Sequence, residues 1–403
     1  MENNSSVLKK NNTMAVLKAV KNNPGISRPE ISKQTGLTTV TVNSLVAELV
    51  ERNLVLEGGH AESCGGRKAQ TYIFNNDAFL VIGVNLRVGA GTVGISNLAG
   101  NEIADLVFFP LDNSHGVEET LQTISEIIRR MLDEYGISRS RIKAIGVSAP
   151  GMISSKTGII RSIPNLTLWK NVTIKEYLEE STGIPVFVDK DTNSALICLK
   201  LESSANQEKD MLLLAVDEGV GSGVFLNGVV FHGLNESFGE LGHTTVNING
   251  PPCSCGNYGC VELYASNRAI ISEYIKVLEG NGADATDIKS LMGSSHRENA
   301  YIMEMAKKAS AGDRPAAKAF RHALVYIETL IVNAINIYGV PEIVLECPWL
   351  RINENLFNEM LGNIYKRLPG IDRTELKISL NQKTDLFSKA PYMLAANSIF
   401  EYD

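Results

Sequence analysis

Long apolar runs are missing from this 403-residue chain: none reaches the roughly 18–20 residues that a membrane-spanning helix needs. The opening stretch, MENNSSVLKKNN, also lacks the apolar core of a secretory signal. These absences exclude channels and transporters as the expected class, imply no membrane partner and make the cytoplasm the expected location. Cysteine is sparse, with six residues in all, too few for a secreted disulfide framework. In a reducing compartment, clustered thiols bind metal or do chemistry more often than they pair. Core-forming residues are not lacking, since 44% of the chain is hydrophobic against 21% charged, enough to fill the cores of two or three domains.

Charge is unevenly spread. Residues 1–75 carry nine Lys/Arg against six Asp/Glu, a balance of +3, within a chain whose net charge is −7. A small basic head on an acidic body suggests that only the head meets a polyanion. Punctuation divides that head into three helices. The first covers Asn12 to Lys21 and stops at Asn23-Pro24-Gly25. The second begins at Ser27-Arg28-Pro29-Glu30, which has the form of a capping box with proline in the first turn. After the Thr35-Gly36-Leu37 turn, Thr38 caps a third helix with Val42, Leu45, Val46, Leu49 and Val50 on one face. Thr39, Thr41, Asn43 and Ser44 gather towards its N-terminal side. LVLE and QTYIF then read as strands around a glycine-rich loop tipped by Arg67 and Lys68.

Three helices with a glycine-bearing turn before the last make a helix-turn-helix, and the two strands make a wing. The expected partner is double-stranded operator DNA. Its candidate contacts are Arg28, Thr38, Thr39, Thr41, Asn43 and Ser44, with Arg67 and Lys68 reaching phosphates or a minor groove. A three-helix protein-docking module with a solvated basic loop accounts for the same pattern. The head ends just after Phe74, giving expected domains of 1–76 and 77–403.

From Phe79 the pattern becomes strand triplets followed by helices, twice over, predicting a two-lobed α/β body with a cleft between lobes. The first lobe is expected over about 77–190 plus the C-terminal helix, and the second over about 191–380. Within the body, LAVDEGVGSGVFLNGVVFHGLNESFGELGH places Gly219, Gly221, Gly223, Gly233, Gly239 and Gly242-His243 at the spacings of the ROK family signature. The following CSCGNYGC is similar to that family's zinc motif. The chain thus resembles the ROK family, which groups bacterial sugar kinases with sugar-responsive repressors, and the N-terminal winged helix resembles its repressor branch, which answers xylose, N-acetylglucosamine or glucose. The implied fold is an actin-like, ribonuclease H-like two-lobed α/β domain.

His243, Cys253, Cys255 and Cys260 supply one imidazole and three thiolates, a closed tetrahedral set suited to structural Zn²⁺. A Cys255–Cys260 disulfide or plain core thiols are the alternatives, and Cys64, Cys198 and Cys347 stand isolated. The resemblance implies a sugar or sugar-derivative effector held by Asn165, Asp191, Glu240, His243 and Glu262. Lys190, where the family has asparagine, adds a cation beside the pocket. Sugar kinases of the family need an Asp-x-Gly-Gly-Thr phosphate loop, but here IGVNLRVGAG puts Asn85 in place of the acid. On the adenosine side, Glu346 and Cys347 stand where the family has glycines. Asp191 matches the family's catalytic base, although a base without a phosphoryl donor only binds hydroxyls. The expected protein is therefore not an enzyme but a sugar-released repressor, a homodimer or a pair of dimers on a palindromic operator. The alternative is a sugar kinase with a fused DNA-binding head.

Overall fold

The computed structural model describes residues 4–60, 69–202, 209–233 and 238–400. Arg67, Lys68 and Cys64 lie outside the described residues. The chain divides into two compact units, one of residues 1–207 with 385–403 and one of residues 208–384.

The first unit opens with α1 (Asn4–Asn22), β1 (Ile26–Ser27), α2 (Arg28–Thr35), α3 (Thr39–Glu51), β2 (Val55–His60) and β3 (Gln70–Phe74). The capping box forms: the backbone N–H and hydroxyl of Ser27 both donate to the Glu30 carboxylate, at 2.8 and 2.6 Å. Gly36, at φ +69°, closes α2 in the left-handed region that glycine tolerates. Thr38 caps α3 by accepting from the Thr41 N–H, and Val42, Leu45, Val46 and Leu49 are buried as their spacing predicted. Beyond the expected elements, β1 pairs with β3, giving a small sheet of order β1-β3-β2.

The same unit continues through β4 (Leu80–Asn85), β5 (Gly89–Asn97), β6 (Val107–Leu111), α4 (Val117–Glu134), β7 (Ile142–Ala149), β8 (Met152–Ser154), β9 (Ile159–Ile163), β10 (Leu166–Val172), α5 (Ile174–Thr182), β11 (Val186–Lys190) and α6 (Asp191–Glu202). Its sheet has the order β11-β7-β4-β5-β6, with β11, β7 and β4 parallel and β4, β5 and β6 antiparallel.

The second unit runs through β12 (Met211–Val216), β13 (Val220–Leu226), β14 (Val229–Val230), α7 (Glu262–Ala265), α8 (Asn267–Gly280), α9 (Thr286–Lys289), α10 (Ser295–Ser310), α11 (Arg314–Tyr338), β15 (Glu342–Glu346), α12 (Pro348–Arg351), α13 (Glu354–Lys366) and β16 (Lys377–Leu380). Its sheet order is β14-β13-β12-β15-β16. In each sheet three consecutive antiparallel strands are extended, beside the first of them, by two later parallel ones. One topology is therefore used twice, although the two sequences show no obvious repeat.

The last helix, α14 (Leu386–Asn397), belongs to the first unit. Strand alternation explains how it fits. In β4, Leu80, Ile82 and Val84 point into one core, and in β7 Ile145, Val147 and Ala149 do the same. The other face of these strands carries Val81, Gly83, Ala144 and Gly146, which are small or flat. There α14 lies against backbone: a Cβ on Gly146 would overlap the Pro391 carbonyl oxygen, and one on Gly83 would stand 2.5 Å from the Tyr392 ring. The helix also packs along α6. For that reason α6 sits in the first unit and the division falls after residue 207 rather than near 190.

One apolar cluster joins Val16, Leu17, Val20, Leu49, Tyr72 and Phe74 of the winged helix to Val81, Ala144, Tyr392, Ala396, Ile399 and Phe400. Phe74 and Phe400 meet with ring centroids 5.8 Å apart, and the Lys21 ammonium lies 4.3 Å from the Phe400 centroid. Among the described residues no helix is long and apolar enough to cross a membrane.

The close approach at Gly146 sets an expected sign for substitutions. Gly146→Ala should lower unfolding free energy by about 1–3 kcal/mol or more through overpacking. Gly362→Ala, inside α13 with nothing within 4 Å of the added carbon, should raise it by about 0.5–1 kcal/mol. Urea unfolding of both variants checks the pair; a Gly146→Ala protein as stable as the parent would remove α14 from its place against the sheet.

Candidate functional site

The candidate DNA-reading residues divide by what they already do. The Thr38 and Thr41 hydroxyls lie 2.9 Å apart and Thr38 accepts the Thr41 N–H at 3.2 Å, so both serve the cap of α3. Thr39, Asn43 and Ser44 are exposed on one face. Arg28 lies at the start of α2 with its guanidinium 5.1 Å from the Tyr72 ring centroid, a stacked and half-buried position. Arg67 and Lys68 fall outside the described residues. The same exposed face includes Val40, which the apolar-stripe reading passed over. A helical wheel finds it: two residues before Val42 means about 200° round the helix, away from the core.

In the first unit, Asn165 occupies the β9–β10 turn at φ +66° and is exposed. Left-handed backbone at a non-glycine residue costs energy and persists only where neighbours hold it. Asn113 does so. Its amide nitrogen donates to the Asn165 carbonyl at 2.8 Å, and its amide oxygen accepts from the Thr167 N–H at 2.8 Å and from the Thr167 hydroxyl at 3.1 Å. Asn113 was not singled out from the sequence, since nothing local marks a contact across some fifty residues. Its own loop is pinned by Asp112, which accepts from the Ser114 hydroxyl at 2.5 Å and sits 2.9 Å from His115 Nδ1. Hydrogen bonds from Ser114 and then His115 hold the Asp112 carboxyl down at about 2, and Asp112 in turn raises His115.

Lys190 and Asp191 stand at the β11–α6 junction. Lys190 is buried, and its N–H donates to Asp189 at 2.7 Å. One Asp191 oxygen accepts the Thr192 N–H at 2.7 Å at the head of α6, where the helix dipole favours a negative charge.

In the second unit, Glu240 precedes and His243 ends a single 3₁₀ turn, Leu241–His243. Gly242 places this turn directly on the Val220 carbonyl, which any side chain would strike. Glu262 opens α7, and its Oε2 accepts the Val220 N–H at 3.0 Å, so this carboxylate holds the β12–β13 turn.

The donor atoms of His243, Cys253, Cys255 and Cys260 all lie within 4.8 Å of one another. The Cys255 and Cys260 sulfurs are 3.8 Å apart, and Cys253 Sγ is 3.7 Å from His243 Nδ1. Sulfurs bound to one zinc at about 2.3 Å with tetrahedral angles stand about 3.8 Å apart, so the spacing fits that ion. All three thiols are free, which answers the disulfide alternative for these cysteines. Burial, followed by the neighbouring sulfurs, pushes the Cys260 thiol up to about 12, an electrostatic cost that a dication relieves. His243 is a candidate for both metal and effector, and its Nδ1 is the ring nitrogen that faces Cys253. Gly259, at φ +59°, has no room for a side chain against the Asn247 carbonyl, and it closes this loop.

At the positions compared with a nucleotide site, Asn85 donates through Nδ2 to the Phe387 carbonyl at 3.3 Å, and Leu86 is fully buried. Glu346 is buried beside Arg351 and accepts from Asn381 at 2.5 Å. Burial raises its carboxyl, with Asn381 and Arg351 pulling the other way.

A strand order used twice, behind a winged helix, defines the class: an actin-like α/β protein with a helix-turn-helix head. Residues 110–371 match the ROK family, and residues 10–55 match the winged helix-turn-helix DNA-binding family. The chain belongs to the ROK family. It is 30% identical over 383 residues to the xylose repressor of Caldicellulosiruptor bescii, an alignment covering 95% of this chain and 94% of that protein. It is similar in fold to a ROK family transcriptional regulator described as a homologue of the Escherichia coli MLC protein, with TM-score 0.81 and 23% identity over 98% of this chain and 97% of the other. A ROK family glucokinase from Streptomyces griseus, solved with glucose and AMPPNP, shares the fold at TM-score 0.59 and 21% identity, covering 79% of this chain and 98% of that one.

The Asp112–His115 pair gives a pH prediction for the loop that supports Asn165. A raised His115 stabilises the loop fully below the ordinary value of 6.5, and that contribution fades as pH rises through the shifted value. The lowered Asp112 contributes fully above its ordinary 3.8 and fades as pH falls towards about 2. The loop is thus held best between those two ordinary values. Proton NMR should show the His115 ring titrating above 6.5, and Asp112→Asn should return it to that region; an unshifted parent titration would dissolve the pair.

Proposed function

We propose that this protein is a sugar-responsive transcriptional regulator, most simply a repressor, that two copies of it read a palindromic operator through their winged helices, and that it works in the cytoplasm. The observation that carries this reading is the joining, in one chain, of a winged helix with an exposed polar face to a ROK body whose named relative over nearly its full length is a xylose repressor. Thr39, Asn43 and Ser44 serve as base and phosphate contacts. Thr38 and Thr41 shape the helix start beside them, with Arg28, Arg67 and Lys68 on the phosphates.

The effector contacts we assign are Asn165, Lys190, Asp191, Glu240, His243 and Glu262. Carboxylates, amides and an imidazole each fix a donor or acceptor direction, which is what recognition of sugar hydroxyls requires. His243, Cys253, Cys255 and Cys260 would hold a structural Zn²⁺, which supplies no chemistry beyond fixing the Glu240–His243 turn and the start of α7. What speaks against phosphoryl transfer is the residue set at the positions compared with a nucleotide site: the Asn85 amide is bonded to Phe387, Leu86 is buried, and Glu346 is a buried acid where the family has glycine.

A ligand moves such a switch only by preferring one arrangement. Turning a 99:1 mixture into 1:99 takes about a 10⁴-fold difference in affinity between the two states. Fluorescence anisotropy on a duplex selected from a random pool, with a panel of pentoses, hexoses, amino sugars and sugar phosphates, tests the reading. One member should release the DNA. Asp191→Ala should keep duplex affinity and lose release. Turnover of ATP-Mg with any sugar of the panel would instead establish the kinase. Cys255→Ser should lose zinc by elemental analysis and melt at lower temperature; a variant that remains metal-replete would contradict the assigned ligand set.

A further inference from the structure

The exposed face of α3 presents Thr39, Val40, Asn43, Ser44 and Ala47. Val40 differs from its neighbours on that face in being apolar and larger than a methyl, and it is 79% exposed. It contributes nothing to the core, which Val42, Leu45, Val46 and Leu49 fill. Nor does it favour the helix, since an exposed β-branched residue has weaker helix propensity than the straight-chain residues that usually hold such positions. Its place in the fold supplies the missing account. Val40 lies in the first turn of the third helix of a winged helix-turn-helix, the part of such a helix that meets base edges in the major groove.

Major-groove edges are donors and acceptors almost throughout. The thymine C5-methyl is the apolar exception. An isopropyl group pressed on a donor, an acceptor or a phosphate would strip water and return no bond, whereas on a methyl it buries apolar surface on both sides. Two features prepare Val40 for this. The Thr38–Thr41 hydroxyl pair fixes the backbone on either side of it, and β-branching leaves its side chain few rotamers to lose. Asn43, three residues on and on the same side of the helix, can pair with a neighbouring purine. Resting on the DNA-binding reading above, we infer that Val40 reads a thymine methyl in each operator half-site and so sets sequence preference at that base pair.

The test uses the full-length protein and a duplex selected from a random pool, with each thymine of the half-site replaced in turn by deoxyuridine, which lacks only the methyl. At one thymine per half-site the parent protein should lose about threefold to fivefold in affinity, the worth of one buried methyl. Val40→Ala should bind the uracil and thymine duplexes equally at that position while keeping the parent's salt dependence, which reports phosphate contacts. Val40→Thr retains one γ-methyl and should still discriminate, covering the case in which the alanine variant is poorly folded. Indifference of the parent to every uracil, or unchanged discrimination in Val40→Ala, overturns the inference while leaving DNA binding in place. Failure to select any duplex overturns the DNA-binding reading itself, and this inference with it.

Discussion

The close seating of α14 on a glycine-faced sheet is the constraint on which the first unit depends. Helices usually meet sheets through side chains from both. Here β4 and β7 offer Gly83 and Gly146, so the Tyr392 ring and the backbone around Pro391 come down onto the strands themselves. That seating orients the end of the chain, and with it Ile399 and Phe400, which complete the core of the winged helix around Phe74 and Tyr72. The head is therefore not a bead on a string. It shares buried surface with the sheet through one helix, and removing that helix would expose apolar groups on both sides of it. Along its length α14 also packs on α6, whose first residue is Asp191. A contiguous packed route thus runs from an assigned effector contact to the reading head. Such a route acquires meaning when a ligand favours one of two arrangements of it.

The second unit uses a different means to the same end. Its assigned residues sit at a single 3₁₀ turn and at the first residue of the four-residue α7, elements too short for periodic hydrogen bonding alone to hold them in place. Fixing them requires close backbone approaches and cross-links. Gly242 sets the Glu240–His243 turn on Val220, Glu262 ties α7 to the same strand, and Gly259 closes the cysteine loop on Asn247. The four donor atoms then converge at spacings suited to one tetrahedral ion. Small residues provide proximity; on the reading proposed above, a zinc ion held by the cluster would add the rigidity that a binding site needs if its hydroxyl partners are to keep their directions.

The sequence was legible where a signal is local. The capping box at Ser27–Glu30, the Thr38 cap, the buried stripe of α3 and the cysteine cluster all follow from residues within a turn or two of one another. Reading failed where the cause is distant. The start of β6 at Val107 is decided by its pairing with β5 rather than by local propensity. Pairing of Ile26–Ser27 with β3 depends on a partner more than forty residues away. The support of Asn165 by Asn113, and the use of small residues on β4 and β7 as a bed for α14, likewise depend on contacts that no spacing within either segment encodes. The duplicated sheet order was visible only as two rounds of strands and helices, since order within a sheet is set by long-range pairing.

Asn85 connects these themes. At the end of β4, its amide donates to the Phe387 carbonyl at the start of α14. A carboxylate there, as the kinase pattern has, would set acceptor against acceptor and repel the helix. The amide turns the same position into an attachment for the element that carries Phe400 to the winged helix. On the regulatory reading proposed above, a single change of oxygen to nitrogen both removes a metal-binding acid from the phosphate loop and fastens the sheet to the helix beneath the DNA reader. Binding energy can shift an equilibrium only through the difference it makes between two states. A site stripped of phosphoryl transfer but still able to hold hydroxyls meets that condition so long as sugar contact and the seating of α14 favour different arrangements of the same packed elements.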